Sequence, residues 1–228
     1  MRVALLDSDI ICYRVGFATD DETENTAIET MAVFLEDLIM FDLVDCEEHE
    51  LFLTGKTNFR HDIAVTEPYK GNRKDAKKPK HLPLLREYLQ LAWGAKVSEN
   101  QEADDDIAIR ATELGDDCVI VSIDKDFNQV PGWHYNFVKR VRNYVTPADG
   151  MRFFYKQILT GDAADNIKGL FRVGDVKATK MLAEAKTEVE LYRSCVEAMG
   201  EERVLENARL LWLRRKPDEL WEPPIEKV

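Results

Sequence analysis

Short apolar runs alternate along this chain with longer stretches of helical periodicity. Arg2 to Leu6 is an apolar run closed by Asp7-Ser-Asp9, which reads as a buried strand with carboxylates at its C-terminal end. Residues 25–44 set Ile28, Met31, Leu35 and Leu38 at helical spacing against an acidic face of Glu29, Glu36 and Asp37. Glu50 to Thr54 predicts a second strand, and residues 55–81 an irregular segment. Leu82 to Trp93 predicts a helix with Pro83 in its first turn. Ala95 to Val97 is a short strand candidate, and Ser98 or Asn100 the expected cap of a helix from Glu102 to about Leu114, closed by Gly115. Cys118 to Ile123 is the clearest strand, β-branched and ending at Asp124-Lys-Asp126. A further strand is expected near Trp133–Val138, and from Pro147 onward the pattern is mostly helical. Strands alternating with helices predict an α/β fold with a largely parallel sheet. Ligands of such sheets sit at the carboxyl ends of the strands.

The chemistry gathers at those ends. Four acidic clusters stand out: Asp7/Asp9, Glu102-Ala-Asp104-Asp105, Asp124/Asp126, and Asp162-Ala-Ala-Asp165. Residues i and i+2 of a strand share a face, as do i and i+3 of a helix, so each cluster is expected to present a carboxylate pair. Any one cluster is ordinary among 43 acidic residues. The coincidence of four, two of them at strand ends, carries the argument. Converging carboxylates raise one another's pKa and call for a hard divalent cation, Mg²⁺ or Mn²⁺. No histidine pattern accompanies them, which points to a two-metal site for phosphoryl chemistry. His61 and His81 are expected at the surface or on phosphate, His49 and His134 in structural roles.

The chain has 228 residues and a net charge of −12. It holds no membrane-length apolar run, and Asp7 comes too early for a signal peptide, so a cytoplasmic location is expected. Four cysteines with no CxxC pair fit a reducing compartment. Acidity opposes a nucleic-acid partner, but residues 69–81 reverse the sign locally, with six cations against one anion. Within them Tyr69-Lys70-Gly-Asn-Arg73 is expected to put Lys70 and Arg73 on one helical face, with the Tyr69 ring free to stack on a base.

Taken in order, Asp7-Ser-Asp9, Tyr69-Lys-Gly-Asn-Arg73, Glu102-Ala-Asp104-Asp105, Ser122-Ile-Asp124-Lys-Asp126-Phe-Asn-Gln129 and Gly161-Asp-Ala-Ala-Asp-Asn166 resemble the 5′→3′ exonuclease and flap endonuclease family. The Lys77-Lys-Pro-Lys80 continuation and the Ala208-Arg-Leu-Leu-Trp-Leu ending are similar to short exonucleases of podovirus-type phages. The resemblance implies one PIN-like 5′-nuclease domain over residues 1–228, with a central, mostly parallel sheet. A catalytic core at 1–146 would carry a helical arch at 69–81. A helical region at 147–228 would contain a helix-hairpin-helix (helix–three-turn–helix) element at 161–185 that grips duplex.

The resemblance further implies metal ligation by Asp7, Glu102, Asp104, Asp105, Asp124, Asp126, Asp162 and Asp165, with Lys70, Arg73, Asp7 and Asp124 catalytic. DNA contacts would come from Tyr69, Lys70, Arg73, Lys74, Lys77, Lys78 and Lys80 in the arch. At the hairpin they would come from Gly169, Arg172, Gly174 and Lys177, with K⁺ a further expected ion there. The expected activity is Mg²⁺-dependent 5′→3′ exonuclease and flap endonuclease cleavage by a monomer. The substrate would be duplex DNA with a 5′ end or flap, RNA–DNA hybrids being a further candidate. Replication proteins are candidate partners, and a phage-encoded enzyme would work in the host cytoplasm. Two departures stand out. Thr54-Gly55 lies where the family usually has an aspartate, and Arg172 replaces a hairpin glycine, with its lysine one place late. The short chain is expected to lack a polymerase domain. The competing readings are a PIN-type ribonuclease and a non-catalytic DNA-binding replication factor.

Overall fold

A computed structural model describes residues 2–224, so residues 1 and 225–228 of the expected domain lie outside the description. Six strands form one sheet in the order β3-β2-β1-β4-β5-β6. They are β1 (Val3–Asp7), β2 (Glu48–Leu53), β3 (Lys96–Val97), β4 (Cys118–Val121), β5 (Gly132–Asn136) and β6 (Val141–Val145). All neighbours are parallel except β5 and β6, which form an antiparallel hairpin at one edge. The strand near residues 133–138 is therefore as expected, while β6 escapes the pattern. Its Val141-Arg-Asn-Tyr-Val is largely exposed and gives no apolar run.

Alternation along β1 sorts the core into two layers. Ala4 and Leu6 face α1 (Ser8–Ala18), α2 (Glu24–Asp37) and, after the short helix α3 (Arg60–Ile63), α4 (Leu82–Trp93). Ile11, Met31, Leu35, Leu85 and Leu89 meet them in a fully buried cluster. Val3 and Leu5 face the opposite way, onto Ile107, Ala108 and Ala111 of α5 (Ala103–Leu114). Burying a Leu or Ile of this kind contributes about 1.5–3 kcal/mol, so both layers hold the sheet firmly. A third core lies among α6 (Pro147–Thr160), α7 (Asp175–Met181), α8 (Glu188–Met199) and α9 (Glu201–Leu211), where Tyr155, Ile158, Leu191, Cys195 and Trp221 pack. Between α6 and α7 runs a small hairpin, β7 (Gly161–Asp162) and β8 (Ile167–Lys168). None of the described helices is long and apolar enough to cross a membrane.

The strand order places the switch of connection direction between β1 and β4. In doubly wound sheets the crevice outside the strand ends at that point is where ligands bind. Asp7 ends β1 and Asp124 follows β4, so both carboxylates open into this crevice.

Candidate active site

The crevice widens into a cavity of about 1480 Å³. Asp7, Glu102, Asp104, Asp124, Asp126, Asp162 and Asp165 line it, with Lys70, Arg73, Lys78, Lys80, Arg86 and Lys125 among its cations. The four acidic clusters thus meet in one place, but not by the geometry that the spacing suggested. Asp7 caps α1, accepting from the Ile10 N–H at 3.3 Å, and Asp9 lies in the first turn of that helix rather than on a strand face. Asp124 caps a 3₁₀ turn over Lys125–Gln129, its Oδ1 accepting from the Asp126 N–H at 2.9 Å. Asp162 and Asp165 sit on the β7–β8 hairpin, not on a helix, and Asp162 accepts the Ala164 N–H at 2.7 Å. Glu102, rather than Ser98 or Asn100, caps α5.

Asp105 is a correction. It is fully buried, and both its oxygens are taken by the Arg60 guanidinium at 2.6 and 2.8 Å. Burial alone would raise its pKa, but Arg60 holds the carboxyl below its ordinary value. A carboxylate satisfied by an internal cation has no lone pairs aimed at the cavity, so Asp105 is a structural partner rather than a metal ligand. The signal that decides this is Arg60, 45 positions away, which no local spacing reveals.

Tyr69 is the second correction. Its ring is buried, and its hydroxyl lies 2.9 Å from both Glu102 and Asp165, which share its one proton. It anchors the loop and is not free to stack on a base. The third correction concerns the arch. Residues 69–81 contain one 3₁₀ turn, Gly71–Arg73, and no longer helix. Lys70 adopts left-handed backbone (φ 53°), uncommon for a side-chain-bearing residue, and its N–H is held by the Asp165 carbonyl at 2.9 Å. Lys74, Lys77, Lys78 and Lys80 are exposed beyond it, Lys77 pairing with Asp20. His81 is buried on the Glu22 carbonyl rather than at the surface, and His61 packs edge-on against Tyr69.

Two ammonium groups stand among the acids. Lys70 pairs with Glu102 and lies 3.8 Å from Asp165, which Arg73 also holds at 2.7 Å. Lys125 bridges Asp126 and Asp162. Lys125 is absent from the residues expected at the site, although it stands inside Asp124-Lys-Asp126. Among the described residues, no three carboxylates already gather round one point as metal ligands.

Asp7 and Asp104 are the least compensated. Burial pushes Asp7 up to about 7, with Asp9 and Asp124 adding to the shift against a hydrogen bond from Ser122. Burial and the like charges of Asp7, Glu102 and Asp124 push Asp104 well above its ordinary value, with Lys70 opposing. Such a pair demands either a proton or a cation. The donors are all oxygen, which selects a hard ion of the Mg²⁺ or Mn²⁺ type, so the residues present fit the expected group.

Residues 2–157 match the family described as 5′-3′ exonuclease, N-terminal resolvase-like domain. The chain belongs to this 5′-3′ exonuclease family. DNA polymerase I of Bacillus caldotenax is 31% identical over 88% of the chain, and that of Bacillus subtilis 29% identical over 87%. The chain spans about a quarter of the length of these relatives (25% in both cases). Among solved structures, bacteriophage T5 flap endonuclease in a complex with DNA and metal ions superposes with a TM-score of 0.72 at 18% identity, covering 92% of this chain and 89% of that one. The catalytic core of Rad2 with DNA substrate gives 0.53 at 15% identity, covering 80% and 60%. These likenesses establish the fold.

Both expected departures have a local structure in this chain. At the tip of β2 the Thr54 N–H donates to Asp9 at 2.7 Å, and Arg86 bonds both Asp9 and the Thr54 carbonyl. A carboxylate from α1 and a guanidinium from α4 therefore fill the neighbourhood of Thr54, where the resemblance implies an aspartate. At the hairpin, Arg172 keeps the left-handed backbone a glycine would favour (φ 57°), and its guanidinium lies over the exposed Phe171 ring. Gly169 packs against Thr160 and Gly161, where a Cβ would meet backbone at 2.1 Å, so its small size serves the hairpin's own closure. Gly174 caps α7 in open space, and Lys177 is exposed on that helix.

Proposed function

We propose that the chain is a divalent-metal-dependent 5′ nuclease that hydrolyses phosphodiesters near the 5′ ends of duplex DNA and at 5′ flaps. One observation carries this reading. At the sheet's switch point Asp7, Asp104 and Asp124 form an under-neutralised acidic floor, and Lys70 and Arg73 face it across the same cavity. Negative phosphate approaches such a floor only with a cation between them.

Asp7, Glu102, Asp104 and Asp124 would hold one Mg²⁺ or Mn²⁺, and Asp126, Asp162 and Asp165 a second. The ions would supply a water of lowered pKa and neutralise charge on the phosphate. The chain's own groups do the rest. Lys70 and Arg73 stand as preorganised cations where charge develops, and Tyr69 and the Asp165 carbonyl hold the Lys70 backbone in place. The Ser122 hydroxyl donates to Asp7 at 2.7 Å and accepts the Asp124 N–H at 3.0 Å, which fixes the two carboxylates relative to each other. The exposed Lys74, Lys78 and Lys80 offer phosphate contacts leading to the cavity, and Arg172 and Lys177 offer them on the hairpin side. Work on phage DNA in the host cytoplasm, as replication, primer removal or host-DNA degradation, fits this chemistry.

Product analysis on 5′-end-labelled blunt, nicked, 5′-flapped and RNA-primed duplexes in Mg²⁺ tests the proposal. Short 5′-phosphorylated products from the DNA substrates are expected. Cleavage of single-stranded RNA alone would replace this reading with a PIN-type ribonuclease.

A further inference from the structure

Asp104 and Asp126 ride on elements that lie outside the sheet's own ladder, the first turn of α5 and the turn after β4. Packing of Ile107 and Ala108 holds α5 over the sheet, but apolar contact is non-directional and tolerates sliding along the helix axis. Directional bonds come from elsewhere. The last residues of α9 and the chain just after it, Leu210–Arg215, form a strap whose backbone groups pair with both elements.

On the turn side, Gln129 is buried, 3% exposed. Its amide donates to the Leu211 carbonyl at 2.9 Å and accepts the Leu213 N–H at 2.9 Å. Arg215 donates to the Gln129 carbonyl at 2.8 Å. On the helix side, Arg60 donates to the Leu210 carbonyl at 2.8 Å and to the Trp212 carbonyl at 2.7 Å while it grips Asp105. The Arg214 N–H donates to Asp105 at 3.1 Å, and its guanidinium to Gln101 at 2.6 Å. A two-point amide contact and a buried guanidinium fork thus fasten one peptide segment to both acidic elements. Buried and fully paired, such a network is stiff.

We propose that this strap sets the separation between the α5 carboxylates and the Asp124/Asp126 turn, and that Gln129 and Arg60 are its positioning residues. The inference rests on the metal-dependent reading above. It makes the C-terminal segment part of the active site although none of its side chains lines the acidic floor.

The test is Mn²⁺ binding to the whole chain without DNA, read from the free-Mn²⁺ electron paramagnetic resonance signal. Gln129→Met keeps the size and removes both amide bonds, and about 10-fold weaker Mn²⁺ binding is expected, the scale of losing a partner that orients a ligand. Cleavage should fall at low metal and recover at high metal, with KM for DNA little changed. Gln129→Glu still accepts from Leu213 but sets an acceptor against the Leu211 carbonyl, so its Mn²⁺ affinity should also fall below wild type, which supplies a second variant if Gln129→Met does not fold. Leu191→Ala, in the separate α6–α9 core, serves as the control: it should lower the melting temperature and leave Mn²⁺ affinity at the wild-type value. Wild-type Mn²⁺ affinity in both Gln129 variants overturns the proposal, as does an equal loss in Leu191→Ala. If the wild-type chain itself takes up no Mn²⁺, the metal reading falls, and the strap's role with it.

Discussion

Asp104 and Asp105 are neighbours in sequence and opposites in the fold. Asp105 turns into the protein, where Arg60 takes both its oxygens. Asp104 turns into the cavity, where Asp7, Glu102 and Asp124 bring like charge and Lys70 supplies the opposing cation. One carboxylate has its counterion built in, and the other must import one. Of these two neighbours, only the one that opens into the cavity without a full internal partner is a candidate metal ligand. The contrast separates two kinds of role: the inner face of α5 should govern folding and the placing of the helix, the outer face the chemistry itself.

Asp104→Asn should cut cleavage by about 10³-fold, the scale of losing a direct stabiliser of a phosphoryl transition state. The fold should be retained or made more stable, because a repelled charge is removed. Turnover of 5′-labelled duplex and a thermal melt read the two effects; a large drop in melting temperature would erase the contrast. Arg60→Met reverses the pattern. It leaves Asp105 as an unpaired buried charge and should cost about 3–5 kcal/mol in urea denaturation. Less than 1 kcal/mol would show that the pair is not what holds α5.

Lys70→Ala should lower turnover by about 10²-fold while duplex binding at fixed salt stays nearly unchanged. Equal losses of both would make Lys70 a general binding residue. The smallest effect is on pH dependence. Burial raises Asp7 from 3.8 to about 7, so the folded state binds more protons than the unfolded state between those values. Stability without metal should therefore fall as pH rises from about 4 to 7, and divalent metal should flatten the slope. A melting temperature independent of pH over that window, with metal chelated, would contradict the placement of Asp7.

Much of this was legible in the sequence. The β1 and β4 runs end in aspartate, and the parallel α/β pattern says where such ends lead, so the site's location follows from Asp7 and Asp124 alone. The side on which each carboxylate faces does not follow. Arg60 decides Asp105, and Asp9 leaves the strand because Asp7 already caps α1. Tyr69, Lys70 and Arg73 were recognisable as a unit, but their loop is bent by Asp165, 96 positions from Tyr69. β6 was missed because an edge strand with one exposed face need not be apolar. Gln129 stands in a family-like string, but its role is not legible there, since a buried amide gives its purpose only through the strap it meets.

The most direct measurement is cleavage of 5′-labelled duplex in Mg²⁺ by the double variant Asp124→Ala/Asp126→Ala beside the wild-type chain. Short 5′-phosphorylated products from the wild type, lost on chelation and absent with the folded double variant, are the predicted result. Undiminished degradation by the double variant would contradict the assignment of the active site to these strand ends.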